Sequence, residues 1–241
     1  MPILLYHRFG PTVADSMTVT TPVFESHLKY LHENGYQVVP LRDLMGMYFG
    51  DGIPADSRYV VLVADDAHIS VHTTAWPLLK KYNAHMTLFV YPSAVSNASY
   101  AMTWNQLREL KATGLFDFQS HTYWHPNFKK ERERLAPVEF EKLVHMQFTK
   151  SRERLEKELG VKVDLLAWPF GIFDPWLMAK AAEAGYTAAF TIERHAVTRE
   201  DRPLALPRYL LTDTDRGKAF EALLNASHFV AKRESKNGKS N

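Results

Sequence analysis

The sequence predicts an α/β fold, a distorted (β/α) barrel of about seven strand–helix units around a mainly parallel sheet. Two observations carry this. Short apolar runs rich in β-branched and aromatic residues alternate with longer stretches of helical period, and no composition break separates them. Several of these runs end abruptly in polar or turn-forming residues, which would gather the strand-to-helix loops at one end of the sheet. We expect one domain over residues 1–231 and a polar, disordered tail over residues 232–241.

Ile3 to Tyr6 suits a first strand. After Pro22, Phe24, Leu28 and Leu31 recur at helical spacing, and Gly35 stands where a helix stops. Tyr36 to Val39 reads as a strand and Leu41 to Tyr48 as a helix closing near Gly50. The run Val60-Val61-Leu62-Val63-Ala64 reads as a buried strand. Trp76 to Tyr82 follows as a helix interrupted near Pro77. Next come a strand at Met86–Tyr91, a helix at Trp104–Lys111 and a strand at Phe116–Ser120. The longest periodic segment runs from Pro137 to Leu159, with Gly160 as its stop and charges along a solvated face. Leu165–Trp168 is strand-like, and Asp174-Pro175 is an N-cap followed by proline at the first helical position. Thr187–Ile192 and Leu206–Leu211 complete the strands, before a last helix at Lys218–Phe229.

A net charge of +2 without a basic stripe argues against nucleic acid as a partner. No run approaches a membrane span. With no cysteine, any metal must be held by histidine and carboxylate. The first residues lack the basic flank and cleavage site of a signal peptide, which at face value points to the cytoplasm.

The chemistry concentrates at strand ends. Asp65 and Asp66 terminate the central apolar run, and two adjacent buried acids must be paired or bind metal. His121 and His125 follow another strand and can converge on one metal if the segment makes a helical turn; alone, they are equally two structural histidines. Two imidazoles and one carboxylate make a three-ligand site with room for water, the set that catalytic metals use. Trp168-Pro169-Phe170-Gly171 is a third strand-end motif, on its own only a turn signal.

With these residues in hand the chain resembles polysaccharide deacetylases of the NodB-homology type, carbohydrate esterase family four. The resemblance runs from Leu4-Leu5-Tyr6-His7-Arg8 to about Tyr209. The family's Thr-Phe-Asp-Asp-Gly falls on Val63–Ala67, and its His-Ser/Thr-x-x-His-Pro is matched in full by His121, Thr122, His125 and Pro126. The apolar residues ahead of Pro169-Phe170-Gly171 are closest to the poly-β-1,6-N-acetylglucosamine deacetylase branch. The resemblance implies Asp65 as base and Asp66, His121 and His125 as ligands of one divalent ion, most simply Zn2+, with Co2+ or Ni2+ fitting the same donors. It further implies Thr122 as loop support, the Phe170 N–H as oxyanion donor, and an N-acetylated glycan as substrate. Trp124 and Trp168, which flank the motifs, and Pro169 are the candidate sugar contacts.

Four departures stand out. Ala64 replaces the usual Phe and Ala67 the usual Gly, and Ala167 stands where many members carry Arg. Leu206-Pro207-Arg208-Tyr209 replaces the Leu-x-His that supplies the general acid. Arg208 can orient Asp65 but cannot readily donate a proton, so His195 and His68 are the acid candidates. Two alternatives stay open: a catalytically impaired module that holds metal and carbohydrate, and a deacylase of a small N-acyl sugar. The compartment stays open: exported or cell-envelope, as the resemblance implies, if a signal has been removed, and cytoplasmic if Met1 is the native start.

Overall fold

In this computed structural model, residues 1–52, 54 and 58–226 are described. The strands in chain order are β1 (Ile3–Tyr6), β2 (Arg8–Gly10), β3 (Thr18–Thr20), β4 (Gln37–Val38), β5 (Tyr59–Asp65), β6 (Met86–Val90), β7 (Phe116–Ser120), β8 (Leu165–Ala167), β9 (Ala188–Phe190) and β10 (Tyr209–Leu210). Seven of them form one parallel sheet in the order β10-β1-β5-β6-β7-β8-β9, with β4 paired on the start of β5. The sheet curls into a half-barrel, and Phe190 of β9 bridges Leu206, three residues before β10, where Leu206 N–H donates to Ala189 O and Thr191 N–H to Leu206 O, both at 2.8 Å. The curled sheet of seven strands is the expected fold.

Strand alternation sorts the side chains into two cores. Ile3, Leu5, Val61, Val63, Phe89, Leu165, Ala167, Ala188 and Phe190 point into the barrel, where Leu41, Leu44 and Met45 of helix α2, following α1 (Thr21–Glu33), join them. Helix α2 (Leu41–Phe49) thus plugs the barrel floor. The alternate set, among them Leu4, Tyr6, Leu62, Leu88, Phe118 and Leu166, faces the outer helices.

Those helices are α3 (Trp76–Tyr82), α4 (Trp104–Ala112), α5 (Phe128–Arg134), α6 (Pro137–Leu159) and α7 (Pro175–Glu183). Their ends follow local chemistry. Thr103 and Gln106 form a capping box on α4, Asp174 accepts from Leu177 N–H at 2.8 Å to start α7, and Gly160 ends α6 at φ 58°. The interruption near Pro77 is a widened π turn at Val71–Ala75, which lets the proline ring enter the first turn of α3. Three elements were not legible in the sequence: the paired strands β2 and β3, and α5. The last helix starts at residue 218 as expected; its end near Phe229 and the polar tail lie outside the described residues. No described helix is long and apolar enough to cross a membrane.

Candidate active site

A cavity of about 410 Å3 opens at the carboxyl ends of the strands, lined by His7, Asp65, Asp66, Tyr91, His121, His125 and Phe170 among others. Its walls follow from strand parity. Inward residues on β1 are Ile3 and Leu5, so His7 is the next; on β5 Val61 and Val63 lead to Asp65, and on β6 Phe89 leads to Tyr91. By the same count Asp117 and Gln119 on β7 lead to His121. The site is therefore the top layer of the barrel interior.

Asp65 and His121 are buried; Asp66 and His125 are partly exposed to the cavity. Asp66 Oδ1 lies 3.7 Å from His121 Nε2 and 3.9 Å from His125 Nε2, and the candidate ligand atoms of this trio all fall within 4.8 Å of one another. His121 Nδ1 meets Ala167 O at 2.8 Å, so the proton sits on Nδ1 and the Nε2 lone pair faces Asp66. Burial lowers the pKa of His121 to about 3, against the pull of Asp65, and lowers that of His125 as well. Both imidazoles are neutral, the state that ligates a metal. The donor set fits a divalent ion.

The histidines converge by a route other than a helical turn. His121 extends β7, with its N–H on Val90 O at 2.9 Å, and Thr122 and His125 then adopt left-handed backbone at φ 64° and 63°. Thr122 braces this loop: its buried Oγ1 accepts from His125 N–H at 3.2 Å. Helix α6 holds the same loop from below. Its Gln147 Oε1 accepts from Tyr123 and Trp124 N–H, and Ser151 Oγ donates to Thr122 O. The long charged helix therefore carries a buried polar strip, a role its outer charges do not announce.

Asp65 is fixed by Arg208, which is fully buried and makes a two-pronged contact at 2.8 and 3.0 Å. Burial pushes the Asp65 pKa up, but the guanidinium, with His121 and His7, more than reverses this and holds it at about 2. Asp66 goes the other way: burial, with Asp65 beside it, raises its pKa against the opposing pull of His7. Asp66 and Ala67 take φ of 73° and 52°, so the alanine does occupy a glycine-like position.

Three expectations meet a different placement. Trp168 is among the residues lining the cavity, yet it is buried; its ring packs on Phe148 and Phe173, and its Nε1–H donates to Leu204 O. His195 is half exposed and bonds toward Ala196 O, and His68 bonds to Ser70 Oγ at 2.8 Å; neither lines the cavity. Trp124 is 44% exposed on the histidine loop but outside the lining, and Pro169 is buried behind Phe170. Phe170, at φ 56°, is exposed and leans its ring on His125 at 4.5 Å between centroids.

Sequence reasoning missed His7 and Tyr91, and counting two residues past the last inward apolar side chain finds both. Burial lowers the pKa of His7 against the opposing pull of Asp65 and Asp66, and its buried Nδ1 has no hydrogen-bond partner.

Comparison with known proteins agrees with this geometry. A family model described as polysaccharide deacetylase matches residues 52–189. The putative polysaccharide deacetylase YxkH of Bacillus subtilis (strain 168) is 26% identical over 94% of this chain and 76% of its own length. The poly-beta-1,6-N-acetyl-D-glucosamine N-deacetylase of Staphylococcus aureus (strain N315) is 26% identical over 86% of this chain and 71% of its own. Among solved structures, IcaB from Ammonifex degensii superposes with a TM-score of 0.81 at 26% identity, covering 93% of this chain and 97% of that one. The Streptococcus pyogenes deacetylase PplD in complex with acetate gives 0.83 at 23% identity with the same coverages, a likeness of fold.

Proposed function

The chain belongs to the polysaccharide deacetylase family, hydrolases of carbohydrate esterase family 4, and from that premise we propose that it removes N-acetyl groups from an N-acetylglucosamine-containing glycan with the help of one divalent ion. The observation that carries the reading is the convergence of Asp66, His121 and His125 beside an ionised Asp65 in one cavity. Asp66, His121 and His125 hold the ion, with zinc the best fit to two neutral imidazoles and a carboxylate. When bound, the ion supplies Lewis acidity toward the amide carbonyl.

The remaining roles belong to the chain itself. Asp65 accepts the proton of the attacking water, and Arg208 keeps its carboxylate ionised and aimed. The Phe170 N–H, on its left-handed turn, donates to the oxygen on which charge develops. The proton that Asp65 accepts passes to the departing nitrogen, with neutral His7 on the cavity wall as its relay. His7 is the one lining imidazole outside the ligand set, and its Nδ1 lacks a partner until substrate arrives. An imidazole in the cavity favours turnover over the catalytically impaired module, which Ala67 and the missing Leu-x-His keep as the alternative. The glycan of the Staphylococcus aureus relative's name, poly-β-1,6-N-acetylglucosamine, is the first substrate to try.

The test is metal content and acetate release on the same samples. Wild type is expected to hold about one ion per chain and to free acetate from N-acetylglucosamine oligomers, with both lost in His121→Ala. A wild-type chain that holds no divalent ion after zinc loading overturns the reading.

A further inference from the structure

We propose that the paired hydroxyls of Tyr91 and Tyr100 read a sugar hydroxyl set at a fixed distance from the N-acyl group, and so determine which glycans the site accepts. The inference rests on the sugar-amide reading above and names the residues that give it specificity.

Tyr91 is the inward residue beyond Phe89, and its ring stands 5.5 Å from that of His125 and 6.4 Å from that of His121. Its hydroxyl meets the Tyr100 hydroxyl at 2.5 Å on the cavity wall. In such a pair one phenol donates to the other, which leaves one O–H and several lone pairs unused. A substrate hydroxyl can both donate to and accept from what remains. The other polar side chains on the wall are His7, Arg8, Asp65, Asp66, His121 and His125, all charged or committed to the reaction centre. The two phenols are the wall's neutral hydroxyl groups.

Tyr100 is also held as a ruler would be. It is 42% exposed at the rim, with its ring stacked on His68 at 6.2 Å and 12°. Its carbonyl accepts from Ile69 N–H at 2.7 Å, Met102 N–H donates to Ala67 O at 3.0 Å, and His68 bridges Ala101 antiparallel. The loop bearing Tyr100 is thereby fastened to the turn bearing Asp66. Backbone hydrogen bonds fix the Cα of Tyr100 relative to the turn that carries Asp66. A site built to bond a substrate hydroxyl discriminates strongly against an analogue that lacks it, because the protein groups are then left unpaired.

The test compares wild type, Tyr91→Phe and Tyr100→Phe on an N-acetylglucosaminide and on its 3-deoxy, 4-deoxy and 6-deoxy forms. Each substitution is expected to lower kcat/KM on the parent roughly tenfold, mainly through KM, and to have no further effect on the one deoxy form that lacks the contacted hydroxyl. Calorimetric binding of the deacetylated glucosaminide, which needs no turnover, should weaken by the same factor while zinc content stays constant. Losses under about twofold, or equal losses on the parent and on every deoxy form, overturn the proposal. Tyr100-dependent binding by a wild type that frees no acetate breaks the hydrolase reading and supports this one.

Discussion

At the floor of the barrel Asp164 meets Arg42 at 3.0 Å and Lys162 at 2.6 Å, and Arg42 reaches on to Asp117 at 3.4 Å. Gln119 Oε1 there accepts from the N–H groups of Asp164 and Leu165. At the mouth the same strands end in Asp66, Ala67, Thr122, His125 and Phe170, all non-glycine residues at positive φ, beside an imidazole nitrogen with no partner. The floor satisfies its polar groups within the protein, whereas the mouth holds strained backbone and keeps donors for something still to bind. Most of the positive-φ non-glycine residues, Asn83 and Ser96 apart, gather at the mouth, where the motif residues also stand.

The comparison can be broken most directly by removing a ligand. Asp66→Asn should lower acetate release by about three orders of magnitude, through loss of the ion, with little change in stability against urea. Retained zinc at full occupancy would mean that the mouth is not the metal site. Next in size is the proposed base. Asp65→Asn leaves the Arg208 guanidinium buried and uncompensated, and should lower unfolding free energy by about 3–5 kcal/mol. Arg42→Met at the part-exposed floor should cost about 1 kcal/mol or less, so equal losses by denaturant titration would erase the contrast.

A buried imidazole outside both ends sharpens it further. His27 contacts Tyr6 Oη at 3.0 Å and the Asp215 carbonyl at 2.5 Å, and burial lowers its pKa to about 4. Because the folded value lies below the unfolded one, stability is intact above pH about 6.5 and falls as pH drops toward 4. The loss is about 3 kcal/mol. His27→Gln should flatten this acid limb in urea titrations run across that range, and an unchanged limb would assign it to other groups. Smallest is Ala67→Gly. Left-handed alanine costs about 1 kcal/mol, yet its buried methyl returns about 0.8 kcal/mol, so the melting temperature should barely move. A gain well above 1 kcal/mol would show that the mouth carries more strain than its dihedral angles indicate.

Much of this was legible in the chain. The seven sheet strands, Asp65 with Asp66, and the histidine pair could all be read from apolar runs and their abrupt ends. The failures have physical reasons. The burial of Trp168 could not be read from its place beside a motif, because it is set by strand parity, which a short run hardly reveals. His121 and His125 meet through left-handed residues, a conformation that Thr and His do not advertise. The place of His7 in the cavity was not legible because it depends on the sheet bringing β1 beside β5, a pairing far apart in sequence.

Arg208 has a second attachment besides Asp65. Its Nε–H donates to Thr191 O at 2.9 Å, just past β9, so one side chain spans from the end of β9 to that of β5 beside the bridge of Phe190 to Leu206. One side chain thus ties β9 to β5 and aims the proposed base. A nascent chain still short of residue 208 already has its ligand residues synthesised, but not the guanidinium that holds Asp65 ionised and oriented. A chain short of residue 208 is therefore expected to lack the contact that fixes the Asp65 carboxylate.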